Sequence, residues 1–321
     1  MLRRRILLLP LCFLVALAPI QLRAEEKKAP VTTVRLLTVG NSFSANATKY
    51  LGDLAKAGGK NLIHRPLVIG GASMAVHLEK AQLNDKEPQN PKGLYTGKKS
   101  LKESLQMEPW DVITIQQASI KSHDLANYRP SAEQLRDYIK QYAPKSEILV
   151  HQTWEYRVDD PRFTKPNPKT DPNGPKTQQE MYDGLTNAYN TIAKELGGLR
   201  IIPTGDAFHL ADNDAAWKFQ PDTSFDPKTA KQQELPNQKH SLHMGWQWKK
   251  GKDGKTTLAM DGHHANTAGE YLGACVFYEV LFKESAVGNK FAPKGISPEN
   301  AKYLQETAHK AVAARYPKSE K

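Results

Sequence analysis

The sequence predicts an α/β protein in which helices cover both faces of a central parallel sheet, a three-layer α/β/α sandwich. Two observations predict it. Short apolar runs alternate along the chain with longer helical patterns, which is typical of repeated strand-helix units. About 297 residues follow a predicted leader, enough for one large domain over residues 25–321.

The first 24 residues have the pattern of a signal peptide. Three arginines follow Met1 and Leu2, an apolar run covers 6–18, and the segment ends on the small residue Ala24. We therefore expect an exported protein, periplasmic or secreted. The apolar run is short for a bilayer span, so no transmembrane segment is expected after cleavage. An uncleaved anchor is the alternative, because Leu22 is bulky where a small residue is preferred.

Charge and cysteine content narrow the possible functions. The full chain has a net charge of +11, and removal of residues 1–24 leaves 41 basic against 34 acidic residues. The excess is dispersed, and the basic clusters at 98–99 and 248–252 lack the aromatic interleaving of a nucleic-acid module, so no nucleic-acid partner is expected. Cys275 is the only cysteine after the leader and lies in an apolar helical pattern, which indicates a buried, inert thiol.

The predicted elements follow one another in the order of a parallel sheet. The strands are predicted at 34–39, 62–69, 111–116, 147–153 and 199–203. The clearest helices are predicted at 45–57, 131–142, 178–196, 267–283 and 298–314. Two long loops interrupt the pattern near 158–176 and 217–255. The second carries Trp217, Trp246 and Trp248, which either line a substrate cleft or fasten the loop to the domain.

A candidate nucleophile follows the first predicted strand. Gly40-Asn41-Ser42 lies where the strand ends and a helix begins, which is the edge of an open α/β sheet that binds ligands. A positive helix N-terminus there would favour a developing oxyanion. The alternative is that Ser42 only caps the helix.

A second segment supplies an acid and a base. Asp261 and His264 are three residues apart in a predicted turn, a spacing that lets the carboxylate orient the imidazole. Ser42, Asp261 and His264 together are the three groups that activate a serine hydroxyl. A metal site of Asp261, His263 and His264 is the alternative, although adjacent histidines seldom converge on one ion.

These two segments resemble the SGNH or GDSL hydrolase superfamily, and within it the branch named DUF4886. The first block reads Gly40-Asn41-Ser42-Phe43-Ser44, with asparagine where the superfamily has aspartate. The last block is 261–266, Asp-Gly-His-His-Ala-Asn, with alanine in place of the usual proline. The resemblance implies the flavodoxin-like SGNH hydrolase fold, with Ser42 as nucleophile, His264 rather than His263 as base, and Asp261 as its partner.

The resemblance also implies an oxyanion hole formed by the N–H of Ser42, a glycine N–H and an asparagine side chain. The glycine block is similar to 68–73, in which Gly71 matches best. The third block departs from the pattern, since residues 115–119 read Ile-Gln-Gln-Ala-Ser without the asparagine. Gln117 is the expected substitute, with Ser119 or Gln116 as alternatives.

The resulting hypothesis is a serine esterase that uses a Ser42-His264-Asp261 triad and requires no cofactor or metal. Its expected partner is a small-molecule or carbohydrate ester, with O-acetyl groups on carbohydrate as the favoured substrate by analogy with the superfamily. Two alternatives remain: a glycan-binding protein that has lost efficient chemistry, and an acyltransferase that uses the same residues. The sequence does not indicate an oligomeric state.

Overall fold

The structure is a computed structural model that describes residues 32–166, 171 and 174–317. The predicted signal peptide, residues 1–24, lies outside the described residues, as does part of the predicted loop at 158–176. Within the described ranges, no helix has both the length and the apolar character that crossing a bilayer requires.

A five-stranded parallel sheet forms the centre of the part that the structure describes. Its strands are β1 Thr33–Gly40, β2 Asn61–Val68, β3 Val112–Ile115, β4 Glu147–His151 and β5 Arg200–Ile202. They are arranged in the order β2-β1-β3-β4-β5, so the chain moves outward from β1 to β2 and then returns to the other side of β1. The point between β1 and β3 is the topological switch point, where open sheets of this type bind ligands.

All five strands were predicted to within two residues at each end. The sequence signal is strong because central parallel strands are covered on both faces and so consist of nearly continuous apolar residues. Every residue of β3 is buried, as are the last five residues of β1.

Helices on both faces complete the α/β/α sandwich. They are α1 Ser42–Thr48, α2 Leu51–Ala57, α3 Met74–Lys86, α4 Leu101–Gln106, α5 Ser131–Tyr142, α6 Gln178–Glu195, α7 Thr204–Asp212, α8 Thr267–Phe282 and α9 Pro298–Arg315. In one layer α1, α2 and α9 pack against α8, and in another α3 and α4 pack against α5. Helix α8 is buried over most of its length and contains Cys275, whose thiol pKa is raised by burial, as the sequence analysis expected.

The long segment predicted as a loop at 217–255 contains a strand. Strand β6, His243–Lys250, pairs antiparallel with β7, Thr256–Ala265, to form a hairpin. The prediction of an unstructured loop was therefore wrong for 243–250. Strand β7 leads directly into α8, so the hairpin is attached to the most buried helix of the structure.

Candidate active site

Ser42 lies at the junction between the central strand β1 and the first helix. Asn41 has an extended backbone and caps α1, because its Oδ1 accepts a hydrogen bond from the N–H of Phe43 at 2.9 Å. Ser42 is the first helical residue and lines a cleft at the carboxyl end of the sheet. The structure thus places the candidate nucleophile at the switch point.

Asp261 and His264 lie on β7, at an irregularity in the hairpin, and not in the turn that the sequence predicted. Gly245 pairs with Asp261 and His243 with Ala265, so β7 has three residues where β6 has only Met244. Such a bulge changes the direction of side chains that would otherwise alternate between faces. Asp261 and His264 therefore meet although they are three residues apart on a strand.

The chain that follows β4 holds the bulge against the domain. The indole N–H of Trp154 donates to the carbonyl of His263 at 2.9 Å, and the backbone N–H of Arg157 donates to the carbonyl of Gly262 at 2.7 Å. A Cβ at Gly262 would lie 2.5 Å from a carboxylate oxygen of Asp160, so this close approach requires glycine.

The structure brings the three predicted residues into one hydrogen-bonded chain. His264 Nε2 lies 2.9 Å from Ser42 Oγ, and His264 Nδ1 lies 3.0 Å from Asp261 Oδ2. Asp261 Oδ1 also accepts the backbone N–H of His264 at 3.1 Å. Since a carboxylate only accepts, it fixes the ring proton on Nδ1 and leaves Nε2 free to accept the serine proton.

The carboxyl group of Asp261 remains ionised. Burial by itself would raise its pKa, but the hydrogen bonds from His263 and His264 outweigh that effect and hold the pKa well below its usual range. The ammonium group of Lys249 lies 3.7 Å from Asp261 Oδ2 and adds a further positive charge. The carboxyl group is thus an anion at neutral pH.

Two charged residues near this group were missed in the sequence. Arg162 lines the cleft, and its Nε and Nη2 bind the two carboxylate oxygens of Asp160 at 2.8 and 2.6 Å. The same Nη2 lies 2.8 Å from Nδ1 of His263, and the guanidinium lies over the ring of Tyr156 at 3.9 Å. Arg162 and Asp160 both belong to the predicted loop at 158–176, whose composition gave no signal for a specific contact.

Two residues that line the cleft, Ser42 at the start of α1 and Gly71 after β2, have backbone N–H groups that can act as donors. Gly71 follows β2, has a φ of +67° that favours glycine, and lines the cleft together with Ser42. Among the described residues, neither the N–H of Ser42 nor that of Gly71 has a hydrogen-bond acceptor within the protein. Asn41 connects the two loops, because its Nδ2 donates to the carbonyl of Ala72 at 2.9 Å.

Gln117 does not occupy the position that the sequence analysis expected. Its side chain is fully buried, where Nε2 donates to the carbonyl of Asn127 at 2.9 Å and Oε1 accepts the N–H of Ala118 at 2.8 Å. Both ends of the amide hold the local backbone, so its side chain does not reach the cleft. Gln116 is engaged with Asn41 and His151 in the same way. Of the three candidates, only Ser119 lines the cleft.

The metal alternative uses atoms that the hydrogen-bonded chain already employs. One potential ligand atom from each of Asp261, His263 and His264 lies within 4.8 Å of the others. Both ring nitrogens of His264 are engaged by Ser42 and Asp261, so a metal ion bound to either would displace one of those contacts.

The cleft has a volume of about 250 Å³. Its lining residues are Asn41, Ser42, Phe43, Gly71, Ala118, Ser119, Ile120, Tyr156, Arg162, His263 and His264. The three loop tryptophans are not among them. Trp217 stacks on Tyr303 at a ring distance of 4.5 Å, and the indole N–H of Trp248 donates to the carbonyl of Glu234. These contacts favour the interpretation that the tryptophans fasten the loop.

Comparison with known families agrees with the resemblance read from the sequence. The family model "Domain of unknown function (DUF4886)" matches residues 35–219, more than half of the chain. The chain belongs to the DUF4886 family. The match includes Ser42 and Gly71 and ends before the hairpin that carries Asp261 and His264. No curated protein matches the chain.

Three solved structures are similar to this chain to different degrees. A DUF4886 family protein from Bacteroides uniformis ATCC 8492 is 26% identical, with a TM-score of 0.66, and the alignment covers 89% of this chain and 96% of that one. A protein assigned as an SGNH hydrolase from Slackia heliotrinireducens is 20% identical, with a TM-score of 0.46 over 77% and 98% of the two chains. The periplasmic domain of a lipopolysaccharide acetyltransferase from Salmonella ser. Paratyphi A is 13% identical, with a TM-score of 0.40 over 79% and 84%.

Proposed function

We propose that this DUF4886 protein is a serine esterase that acts through Ser42, His264 and Asp261. The observation that carries the proposal is the continuous row of hydrogen bonds from Ser42 Oγ to His264 Nε2, at 2.9 Å, and from His264 Nδ1 to Asp261 Oδ2, at 3.0 Å. These distances are within the range needed for proton transfer from nucleophile to base. This row of hydrogen-bonded side chains lies at the switch point of the sheet, beside the N–H groups of Ser42 and Gly71, which have no acceptor among the described residues.

In the proposed reaction, Ser42 Oγ attacks the ester carbonyl while its proton moves to His264 Nε2. The carbonyl oxygen becomes an oxyanion held by the N–H groups of Ser42 and Gly71. The intermediate collapses to an acyl-serine, and His264 gives the proton to the departing alkoxide. A water molecule then repeats the attack with His264 as base, which releases the acid and restores Ser42. Asp261 stabilises the imidazolium in both steps, and none of these steps needs a cofactor.

We propose a short acyl group, such as the O-acetyl group of a carbohydrate, as the substrate. A cleft of about 250 Å³ has room for a short acyl chain and a part of the alcohol. The hydroxyl, imidazole and guanidinium groups of its lining are suited to hydrogen bonds with a polar alcohol such as a sugar. The signal-peptide pattern of residues 1–24 supports an exported, periplasmic or secreted, location for this activity.

The test measures acetate release from p-nitrophenyl acetate and from a panel of acetylated oligosaccharides, for the wild type, Ser42→Ala and His264→Ala. Ser73→Ala is a matched serine control, because its hydroxyl caps α3. His309→Ala is a matched histidine control, because the ring of His309 on α9 pairs with Glu279 on α8, outside the cleft. We expect both triad variants to lose at least about 10³-fold in kcat and both controls to retain activity.

Other outcomes would support other functions. If the wild type is no faster than Ser42→Ala on every ester yet binds a glycan, the protein is a binding module. If acetyl groups move to an added sugar acceptor faster than to water, with the same dependence on Ser42, it is an acyltransferase.

A further inference from the structure

A pair of hydroxyl groups lies in the wall of the cleft that Ser42 lines. Ser119 begins a 3₁₀ turn at Ser119–Lys121, four residues after the last residue of β3, and Tyr156 lies in the chain that follows β4. Their oxygens are 3.0 Å apart, both side chains are buried, and both residues line the same cleft as Ser42.

A count of protons shows that this pair has one donor to spare. Two hydroxyl groups carry two protons, and the hydrogen bond between them uses one. Among the residues that the structure describes, neither oxygen has another side-chain or backbone partner. The second proton therefore has no acceptor within the described protein, and an unmade hydrogen bond in a buried position is costly. A group in the cleft is the remaining acceptor.

The direction of the hydrogen bond determines which hydroxyl keeps the free proton. A phenol is a stronger donor than an alcohol, and an alcohol oxygen is the better acceptor, so Tyr156 donates to Ser119. Burial raises the pKa of Tyr156 to about 12, so the phenol keeps its proton at neutral pH. Ser119 Oγ–H then points away from the phenol.

The surroundings hold Tyr156 in a fixed position. The guanidinium of Arg162 lies 3.9 Å from its ring centre, the ring of His263 packs edge-on at 5.7 Å, and its carbonyl accepts the amide of Gln178 at 3.0 Å. A donor that is already oriented before the reaction needs no reorganisation when charge develops, which is the condition for strong oxyanion stabilisation.

We propose that Ser119 is a catalytic residue that donates the third hydrogen bond to the oxyanion, and that Tyr156 is the residue that positions it. This inference rests on the esterase function proposed above and assigns to these two side chains the task for which the sequence offered Gln117. The oxyanion would then be held by the N–H groups of Ser42 and Gly71 and by Ser119 Oγ–H.

The test compares Ser119→Ala, Tyr156→Phe and the double variant with the wild type. Tyr128→Phe is the matched control, because it removes a buried phenol that donates to the carbonyl of Ser122 in the same loop and does not line the cleft. For p-nitrophenyl acetate we expect Ser119→Ala to lower kcat by about 10²-fold with little change in KM. Tyr156→Phe should cause a smaller loss, on the order of 10-fold, since Ser119 keeps its hydroxyl.

Two further readouts separate a donor from a packing residue. The double variant should equal Ser119→Ala, because the two residues act as one unit. Covalent labelling of Ser42 by a fluorophosphonate, whose P=O oxygen occupies the oxyanion position, should slow in parallel with kcat. Melting temperatures confirm that each variant is folded.

Three results would overturn the proposal. If Ser119→Ala has the kcat and labelling rate of the wild type while Ser42→Ala is inactive, the role of Ser119 as third donor is refuted and the proposed esterase function is retained. An equal loss of kcat in Tyr128→Phe would assign the effect to loop packing instead. A wild type that neither hydrolyses esters nor reacts with the fluorophosphonate would refute the esterase function and, with it, the role of Ser119.

Discussion

Replacement of Asp261 by asparagine tests whether the carboxylate sets the tautomer of His264. The backbone N–H of His264 lies 3.1 Å from Oδ1 and needs an acceptor there, so the new amide places its oxygen at that position. Its NH₂ group then occupies the Oδ2 position, 3.0 Å from His264 Nδ1, and donates to the ring. The ring proton must move to Nε2, which faces Ser42 Oγ at 2.9 Å and can no longer accept a proton.

The expected loss is about 10⁴-fold in kcat, or about 5.5 kcal/mol of transition-state stabilisation, the value typical of this substitution in Ser-His-Asp enzymes. The assay follows p-nitrophenyl acetate hydrolysis from pH 6 to 9. Asp253→Asn is the matched control on the same hairpin, since Asp253 accepts the N–H of Lys255 in the turn and does not line the cleft. A folded Asp261→Asn enzyme within 10-fold of the wild type at pH 7 to 8 would refute the tautomer argument.

Three further predictions concern stability, each measured as the free energy of unfolding in urea. Burial lowers the pKa of His151 to about 3, below its unfolded value of about 6.5, so the unfolded chain binds more protons. The contribution of neutral His151 to the free energy of unfolding is complete above pH 6.5 and falls by about 2 kcal/mol on going to pH 5. His151→Leu should lose that part of the pH dependence, and an unchanged pH dependence in this variant would contradict the prediction. Arg157 is buried, and its guanidinium donates hydrogen bonds to Asp159 and Gln238. Arg157→Met should therefore cost about 3 kcal/mol, and a cost under about 1 kcal/mol would show that these hydrogen bonds contribute little to stability. Gly273→Ala should cost about 1 to 3 kcal/mol, because its Cβ would lie 2.9 Å from the Cα of Ala47 on the neighbouring helix α1. Gly52→Ala, on α2 with open space around it, should stabilise by about 0.5 to 1 kcal/mol. Equal effects of the two substitutions would show that α8 and α1 can move apart without cost.

The five strands and the central position of Ser42 were predictable because they depend on local composition and chain order. Buried parallel strands give continuous apolar runs, and the carboxyl end of the first strand lies at the switch point in this topology. Helix α3, Met74–Lys86, was not among the predicted helices, since its buried residues include His77 and Asn84 and its apolar pattern is weak. The helix predicted at 45–57 is divided into α1 and α2 near Tyr50.

The hairpin was missed because its pairing depends on a partner that the sequence does not identify. Strand β6 reads His-Met-Gly-Trp-Gln-Trp-Lys-Lys; residues 246–248 are all partly buried and the two lysines are exposed, so the alternation of a half-buried strand is weak. The spacing of Asp261 and His264 correctly indicated their contact, but through a bulge and not a turn. Arg162 reaches the cleft through tertiary contacts, for which a single sequence has no signal, whereas Ser119 was already an alternative to Gln117 in the third block.

The two departures from the superfamily pattern in the first and third blocks explain each other. Asn41 uses both ends of its amide: Nδ2 donates to the carbonyl of Ala72, and Oδ1 accepts from Phe43 N–H and, at 2.8 Å, from Gln116 Nε2. An aspartate there has no donor for the Ala72 carbonyl and would place two oxygens against each other, which in a buried position costs more than a lost hydrogen bond. Gln116, the residue that directly follows β3, reaches Asn41 through its long side chain. The asparagine and the glutamine thus form one buried link between the nucleophile, the Gly71 loop and the third block, and this link commits the third block's amide to structure. The hydroxyl side chain of that block, Ser119, lines the cleft, which is the observation behind the oxyanion role proposed for it above.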